Sequence, residues 1–201
     1  MTDQALPTGH TLGPPTRRRS MFMRLSTWDR VRVLLWSIVR LALFRFSPPV
    51  CGWWRRWLLR CFGAKVGRRV RIAPSVRVDF PWRLEIADDV VIMHGVILNC
   101  IGSIRIGAGA LVSQYAHLCA GSHDYERADM PIVPRPIEVG RGVWIAADAF
   151  VGPGVTIGDG ALLAARSSAF KHLPAGMVCI GEPARPVKPR TATTSGDEVR
   201  P

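Results

Sequence analysis

Fifteen apolar positions recur along the chain at a step of mostly six residues. They run Val66, Ile72, Val78, then Leu84 or Ile86, then Ile92 and Leu98. After a two-residue slip they resume at Ile106, Val112 and Leu118, and they return at Val139, Ile145, Val151, Ile157, Leu163 and Ala169. The residue after the head is often small, as at Gly67, Ala73, Gly107, Ser113, Gly140, Ala146, Gly152, Gly158 and Ala164. A fixed short period predicts a β-solenoid: no single repeat can bury its apolar face, and stacking on neighbours completes the core. Three six-residue steps make a triangular coil of about 18 residues, so positions that far apart should stack along the axis. The solenoid domain is expected over 63–182, with its repeats running from about Lys65 to about Ile180, small residues at the corners and short parallel strands between them.

The pattern fails once in a telling way. Leu118 and Val139 are 21 residues apart, and the stretch 124–136 contains Pro131, Pro134 and Pro136 with no six-residue pattern. It predicts a loop thrown out from the solenoid wall, and loops on rigid scaffolds are where function concentrates.

Before the repeats the period changes. Val31, Leu35, Ile38, Ala42 and Phe46 fall on one face of a helix predicted over 24–46, which Ser47-Pro48-Pro49 ends. A second helix is predicted from Trp53 to Phe62. Residues 1–20, rich in Pro, Thr, Gly and Arg, are expected to be disordered, and 183–201 to form a C-terminal tail, mobile beyond Arg190.

Charge sharpens this division. Of the net +12, residues 1–60 supply +9, from eleven arginines against two aspartates, and they hold five of the seven tryptophans. Such a segment, 21–62, suits either a cap on the open end of the solenoid or contact with an anionic membrane surface. No nucleic-acid motif accompanies the arginines, so nucleic acid is not the expected partner. Val31 to Phe46 is interrupted by Arg32, Arg40 and Arg45, so no transmembrane span is expected, and no cleavable signal peptide is visible. Five cysteines without a CxxC pair fit reduced thiols in the cytoplasm, with peripheral membrane contact at its inner face as an option.

Particular motifs carry a resemblance. Cys119-Ala-Gly-Ser-His-Asp-Tyr125, Pro136-Ile-Glu-Val-Gly-Arg-Gly-Val-Trp-Ile145, Pro153-Gly-Val-Thr-Ile-Gly158 and Gly181-Glu-Pro-Ala-Arg185 resemble the signatures of the hexapeptide-repeat acyltransferases. Trp144-Ile-Ala-Ala-Asp-Ala-Phe150, Ala164-Ala-Arg-Ser167 and Phe62-Gly-Ala-Lys-Val-Gly67 look most like the colanic acid biosynthesis acetyltransferase branch. The resemblance implies an all-β solenoid with an N-terminal α-helical extension, the solenoid being a left-handed parallel β-helix, assembled as a homotrimer. It implies a CoA-dependent O-acetyltransferase with acetyl-CoA as co-substrate and no metal.

Such chemistry needs a base for the acceptor hydroxyl, donors for the oxyanion, and two substrates held together. His123, at the mouth of the loop, is the expected general base, and imidazole titrates near working pH. Asp124 is a candidate to orient the loop or the ring, and Asn99 and His94 are candidates for the acceptor pocket. His117 is expected to be structural or interfacial, and His10 and His172 peripheral. Along an intersubunit groove, Trp144, backbone amides at Ala147 and Ala165, and the cations Arg166, Lys171 and Arg185 are candidates to meet the coenzyme. The expected acceptor is a sugar hydroxyl of an exopolysaccharide or its lipid-linked precursor; a small soluble acceptor (a sugar, nucleotide sugar or serine) is the alternative. A zinc lyase of the γ-carbonic-anhydrase type would need three histidines on one metal, for which His94, His117 and His123 are nominal candidates. A non-catalytic assembly solenoid would bind no thioester.

Overall fold

A computed structural model describes residues 25–191 of the 201-residue chain. The expected tail at 1–20, His10 and the positions from 192 onward lie outside the described residues.

The repeats fold into three parallel walls. The first stacks Lys65–Val66, Leu84–Ile86, Ile104–Ile106, Ile137–Val139 and Thr156–Ile157. The second stacks Arg71–Ile72, Val91–Ile92, Leu111–Val112, Trp144–Ile145, Leu162–Leu163 and Met177–Gly181. The third stacks Arg77–Asp79, Ile97–Asn99, His117–Cys119, Phe150–Val151 and Ser168–Ala169. Strand residues alternate across the wall, so a two-residue strand sends one side chain inward and the three-residue strands of the first wall send two. Ile86, Ile106, Val139 and Ile157 line up on the first wall, and Val78, Leu98, Leu118 and Val151 on the third; all are buried.

The register corrects one expectation. The early coils take 20 residues, not 18: Lys65 pairs with Glu85 and Leu84 with Ile104. The late coils keep 18: Glu138 pairs with Thr156 and Trp144 with Leu162. The two extra residues sit at the corner between the third and first walls, where Pro81–Arg83 makes a 3-10 turn and Phe80 has φ 53°. Leu84 and Ile86 therefore both point inward, and the choice between them dissolves.

The corner between the first and second walls shows why glycine recurs. Gly109, Gly142 and Gly160 there have φ of 68°, 61° and 68°, which costs a glycine almost nothing. In the first two coils Arg69 and Asp89 occupy this conformation instead, at φ 53° and 61°. They are joined by a forked ion pair of 2.5 and 2.6 Å.

Both ends of the solenoid differ from expectation. Residues beyond 182 do not begin a loose tail: Ala184–Pro189 folds back antiparallel on Met177–Gly181. Arg190 closes the hairpin by donating to the carbonyls of Gly142, Gly160 and Ala161. At the other end, helix α1 spans Thr27–Val39 and continues as a π-helical turn over Arg40–Phe44; helix α2 spans Gly52–Cys61. The apolar face read from the sequence lies on the outside, since Val31, Leu35, Ile38 and Phe46 are all exposed. Trp36 and Phe44 turn inward instead, and the Trp36 indole donates to the Val78 carbonyl at 2.7 Å. A large ring with a polar edge can both fill the open end of the barrel and satisfy a terminal carbonyl, which an aliphatic stripe cannot. Arg55, 2% exposed, donates to the carbonyls of Ile72, Pro48 and Pro49 and to Ser47 Oγ. Arg56 and Arg60 cap the carbonyls of Val70 and Val66.

Candidate active site

The break in the repeat is a β-hairpin. Gly121–His123 pairs antiparallel with Ile132–Pro134, and His123 stands opposite Ile132. Its base is fixed to the solenoid: Arg135 N–H donates to the Ala120 carbonyl, and Ala120 N–H to the Asn99 carbonyl. The hairpin thus leaves the corner between the third and first walls rigidly, carrying an exposed His123.

The ring is oriented by the loop itself. His123 Nδ1 lies 2.7 Å from the Met130 carbonyl oxygen. A carbonyl can only accept, so Nδ1 carries the hydrogen, and in the neutral ring Nε2 keeps its lone pair. Met130 presents that carbonyl from a left-handed backbone, φ 38°, a conformation that an L residue holds only where its surroundings demand it. Asp124 does not reach the ring. Its Oδ1 accepts from the Glu126 N–H, and its own N–H donates to the Pro131 carbonyl. It orients the loop and not the ring.

Asn99 stands one coil below, in register with Cys119 and on the corner from which the hairpin leaves. Its Oδ1 is buried with no hydrogen-bond partner among the described residues. An orphan acceptor of this kind is costly unless something supplies a donor. His94 is elsewhere. It lies at the corner between the second and third walls, edge-on to Tyr115 at 5.1 Å. It lines a cavity of about 570 Å3 against helix α2, with Arg56, Arg71 and Met93. The fold therefore separates His94 from Asn99 and His123.

His117 faces outward from the third wall and packs edge-on against Phe150 at 5.5 Å. Its Nε2 is buried without a partner, and burial lowers its pKa. His172 Nδ1 accepts the Thr156 N–H at 3.0 Å, a structural task. Among the described residues no three His, Cys, Asp or Glu side chains converge to hold a metal ion.

Most of the proposed coenzyme residues share one strip. Trp144 lies on the second wall, its indole N–H donating to Ser113 Oγ at 2.9 Å. Ala147 and Ala165 stack at the next corner, where Arg166 N–H donates to the Ala147 carbonyl. Arg166 is exposed and paired with Asp148 at 3.5 Å. Arg185 sits on the terminal strand opposite Ile180. Lys171 is apart from the strip, exposed just past the third wall. A hexad face separates this strip from the corner bearing His123. At about 3.3 Å per residue that is roughly 15–20 Å, so a single copy of the chain does not bring the two together.

Sequence reasoning missed the residues that position these groups: Met130 behind His123, Ser113 behind Trp144, and Asp148 beside Arg166. The Ser113–Trp144 contact spans 31 residues, and the length of the inserted hairpin hides it from any periodicity count.

No family model matches the chain. It is 46% identical over 165 residues to an Escherichia coli K12 protein provisionally named colanic acid biosynthesis acetyltransferase WcaF, covering 82% of this chain and 91% of that one. It is 26% identical over 148 residues to the galactoside O-acetyltransferase of the same organism, covering 72% and 73%. Among solved structures it resembles a hexapeptide-repeat acetyltransferase of Vibrio cholerae in complex with acetyl coenzyme A. That likeness has a TM-score of 0.77 at 24% identity and covers 85% of this chain and 93% of that one. The walls are thus those of a left-handed parallel β-helix with a helical N-terminal extension. The identity to the Escherichia coli protein, extending over nine-tenths of its length, shows that the chain belongs to the hexapeptide-repeat acetyltransferases, in their colanic acid biosynthesis branch.

Proposed function

We propose that the enzyme transfers acetyl from acetyl-CoA to a sugar hydroxyl of an exopolysaccharide or its lipid-linked precursor, with His123 as general base. The observation that carries this reading is the His123 ring, locked through Nδ1 to the Met130 carbonyl and exposed on a rigidly based hairpin. Its Nε2 takes the proton of the acceptor hydroxyl as the oxygen attacks the thioester carbonyl. The imidazolium then returns that proton to the leaving sulfur, so the ring ends as it began. The coenzyme supplies an activated acyl group.

The strip of Trp144, Ala147 and Ala165 fits an extended pantetheine arm, because nothing larger than a methyl projects at the two alanines. Arg166 and Arg185 provide cations beside it, Lys171 lies further along, and guanidinium groups suit phosphate. Because strip and base stand on different corners, the complete site takes the strip from one copy and His123 from the next. A closed ring of such contacts supports a homotrimer. Asn99, with its unpaired Oδ1, would accept from a sugar hydroxyl beside His123. Asp124 contributes by shaping the hairpin, and His94, which stacks on the same corner as Ala147 and Ala165, would reach the acceptor only from the copy that supplies the strip. The exopolysaccharide assignment is supported by the name of the 46% identical relative.

The test is O-acetyl analysis of surface polysaccharide from a strain lacking the gene. Loss of O-acetyl, restored by the wild type and not by His123→Ala, is expected. Unchanged acetylation in the deletion strain overturns the acceptor, and full complementation by His123→Ala overturns the base.

A further inference from the structure

The N-terminal helices use one face to close the solenoid and leave the other uncovered. Trp36, Phe44, Leu58 and Leu59 are buried against the coils, and Arg55, Arg56 and Arg60 cap their carbonyls. Capping accounts for that side completely. It leaves Trp28, Leu34, Leu35, Ile38, Phe46 and Trp53 between 50% and 79% exposed. Single exposed apolar residues are ordinary, but successive turns of them on one element are not.

The exposed face continues into a shaped surface. Between the π-helical turn and α2 lies an apolar cleft of about 430 Å3, lined by Leu43, Phe46, Pro48, Trp53 and Trp54. Trp53 also borders the 570 Å3 cavity, whose walls include Arg56, Arg71 and His94. An apolar cleft thus opens directly beside a cavity that carries the exposed Arg71 on its rim. Trp54 and Trp57 stack at 4.9 Å, and the Trp54 indole donates to the Leu43 carbonyl, so the aromatic ridge is pre-ordered.

Charge decides what covers this face. From 25 to 62 the chain has seven arginines, one aspartate, and no lysine or glutamate; Arg55, Arg56 and Arg60 are engaged in capping, and Arg30 and Arg45 are among those left exposed. A second copy docking face to face would set arginine against arginine. An anionic lipid surface matches both features, with tryptophan at the headgroup level and arginine toward phosphate. No described helix is long and apolar enough to cross a membrane, and α1 has 13 residues where a span needs about 20.

We propose that the outer face of helix α1, the π-helical turn and helix α2 docks flat onto an anionic phospholipid bilayer, with Phe46 and Trp53 inserted and the exposed Arg71 toward headgroup phosphates. This stands on the exposed face alone and does not depend on the acetyl-transfer assignment. In a threefold ring, which does rest on that reading, rotation leaves all three N-terminal poles at the same height, so three faces meet one surface.

Flotation of the full-length protein with vesicles tests it. Vesicles containing about one-third phosphatidylglycerol should carry the protein, and phosphatidylcholine vesicles should carry at least tenfold less. The variant Leu35→Glu/Phe46→Glu/Trp53→Glu should lose binding at least tenfold while keeping its melting temperature, because all three side chains are exposed. Arg71→Glu should weaken binding without affecting the apolar contact. Equal flotation of wild type and triple variant overturns the proposal, as does failure of the wild type to float. A fall in oligomer size of the triple variant by light scattering, without a change in flotation, would assign the face to another copy instead. None of these readouts involves acetyl transfer, so the two readings fail separately.

Discussion

His123 Nδ1 and the carbonyl oxygen of Met130 lie 2.7 Å apart across a hairpin that interrupts an otherwise unbroken stack of coils. The carbonyl holds one tautomer, and the hairpin holds the carbonyl. Replacing His123 by Gln keeps the bulk and removes the base. The expected result is a loss of roughly 10²–10⁴-fold in kcat, with KM for acetyl-CoA unchanged. Because the side chain is exposed, the melting temperature should stay within about 1 °C. Steady-state kinetics by thiol release and a thermal melt check both halves.

On the proposed function, Ala165 belongs to the coenzyme strip and lies away from the base. A methyl at this exposed corner leaves the strip open, and a branched side chain there would lie across it. Ala165→Leu should raise KM for acetyl-CoA by about tenfold, the scale of 1–2 kcal/mol of lost contact. The kcat at saturation should change little. An unchanged KM would remove this corner from the coenzyme site.

Arg55 holds the helical cap in place. Its guanidinium satisfies three carbonyls and one hydroxyl beneath α2, and burial pulls its pKa down. Arg55→Met would keep the stem and abandon those acceptors. A loss of about 3 kcal/mol in unfolding free energy is expected, as each buried group left unpaired costs on the order of 1–3 kcal/mol. Arg45→Met, at an exposed position, should stay within about 0.5 kcal/mol. Denaturant titration of the two side by side is the measurement.

His117 gives the fold a pH dependence. Burial lowers its pKa; nearby Asp79 opposes that shift and Arg77 reinforces it. The unfolded chain therefore binds the proton more readily than the folded one. The contribution to stability is fully present above the ordinary histidine value of about 6.5 and declines as the pH falls below it. The carboxylates held low by arginine or lysine partners, Glu85, Asp88, Asp89 and Asp159, titrate only in more acid solution. Melting temperature should drop between pH 7 and pH 5, and His117→Leu should flatten that drop. Parallel slopes for the two proteins would remove His117 as the cause.

The six-residue period alone specifies the solenoid, its corners and the place of its interruption. Period is a local property: Ile145, Val151, Ile157 and Leu163 announce three walls because each alternation can be satisfied only by stacking. The same local logic located the loop at whose mouth His123 stands, where the period stops; that the loop is a hairpin emerged from the structure. What the tertiary structure decided were relations between coils. Trp144 finds Ser113, His123 finds Met130, and Asn99 is left with a bare oxygen, through registers set by 20-residue and 18-residue coils and one inserted hairpin. The N-terminal segment shows the division most sharply. Its helical period was legible, but its buried side was not, because an aliphatic stripe and a tryptophan compete for the same open end. Trp36 wins by filling the gap and satisfying the Val78 carbonyl together, which turns Leu35, Ile38 and Phe46 outward.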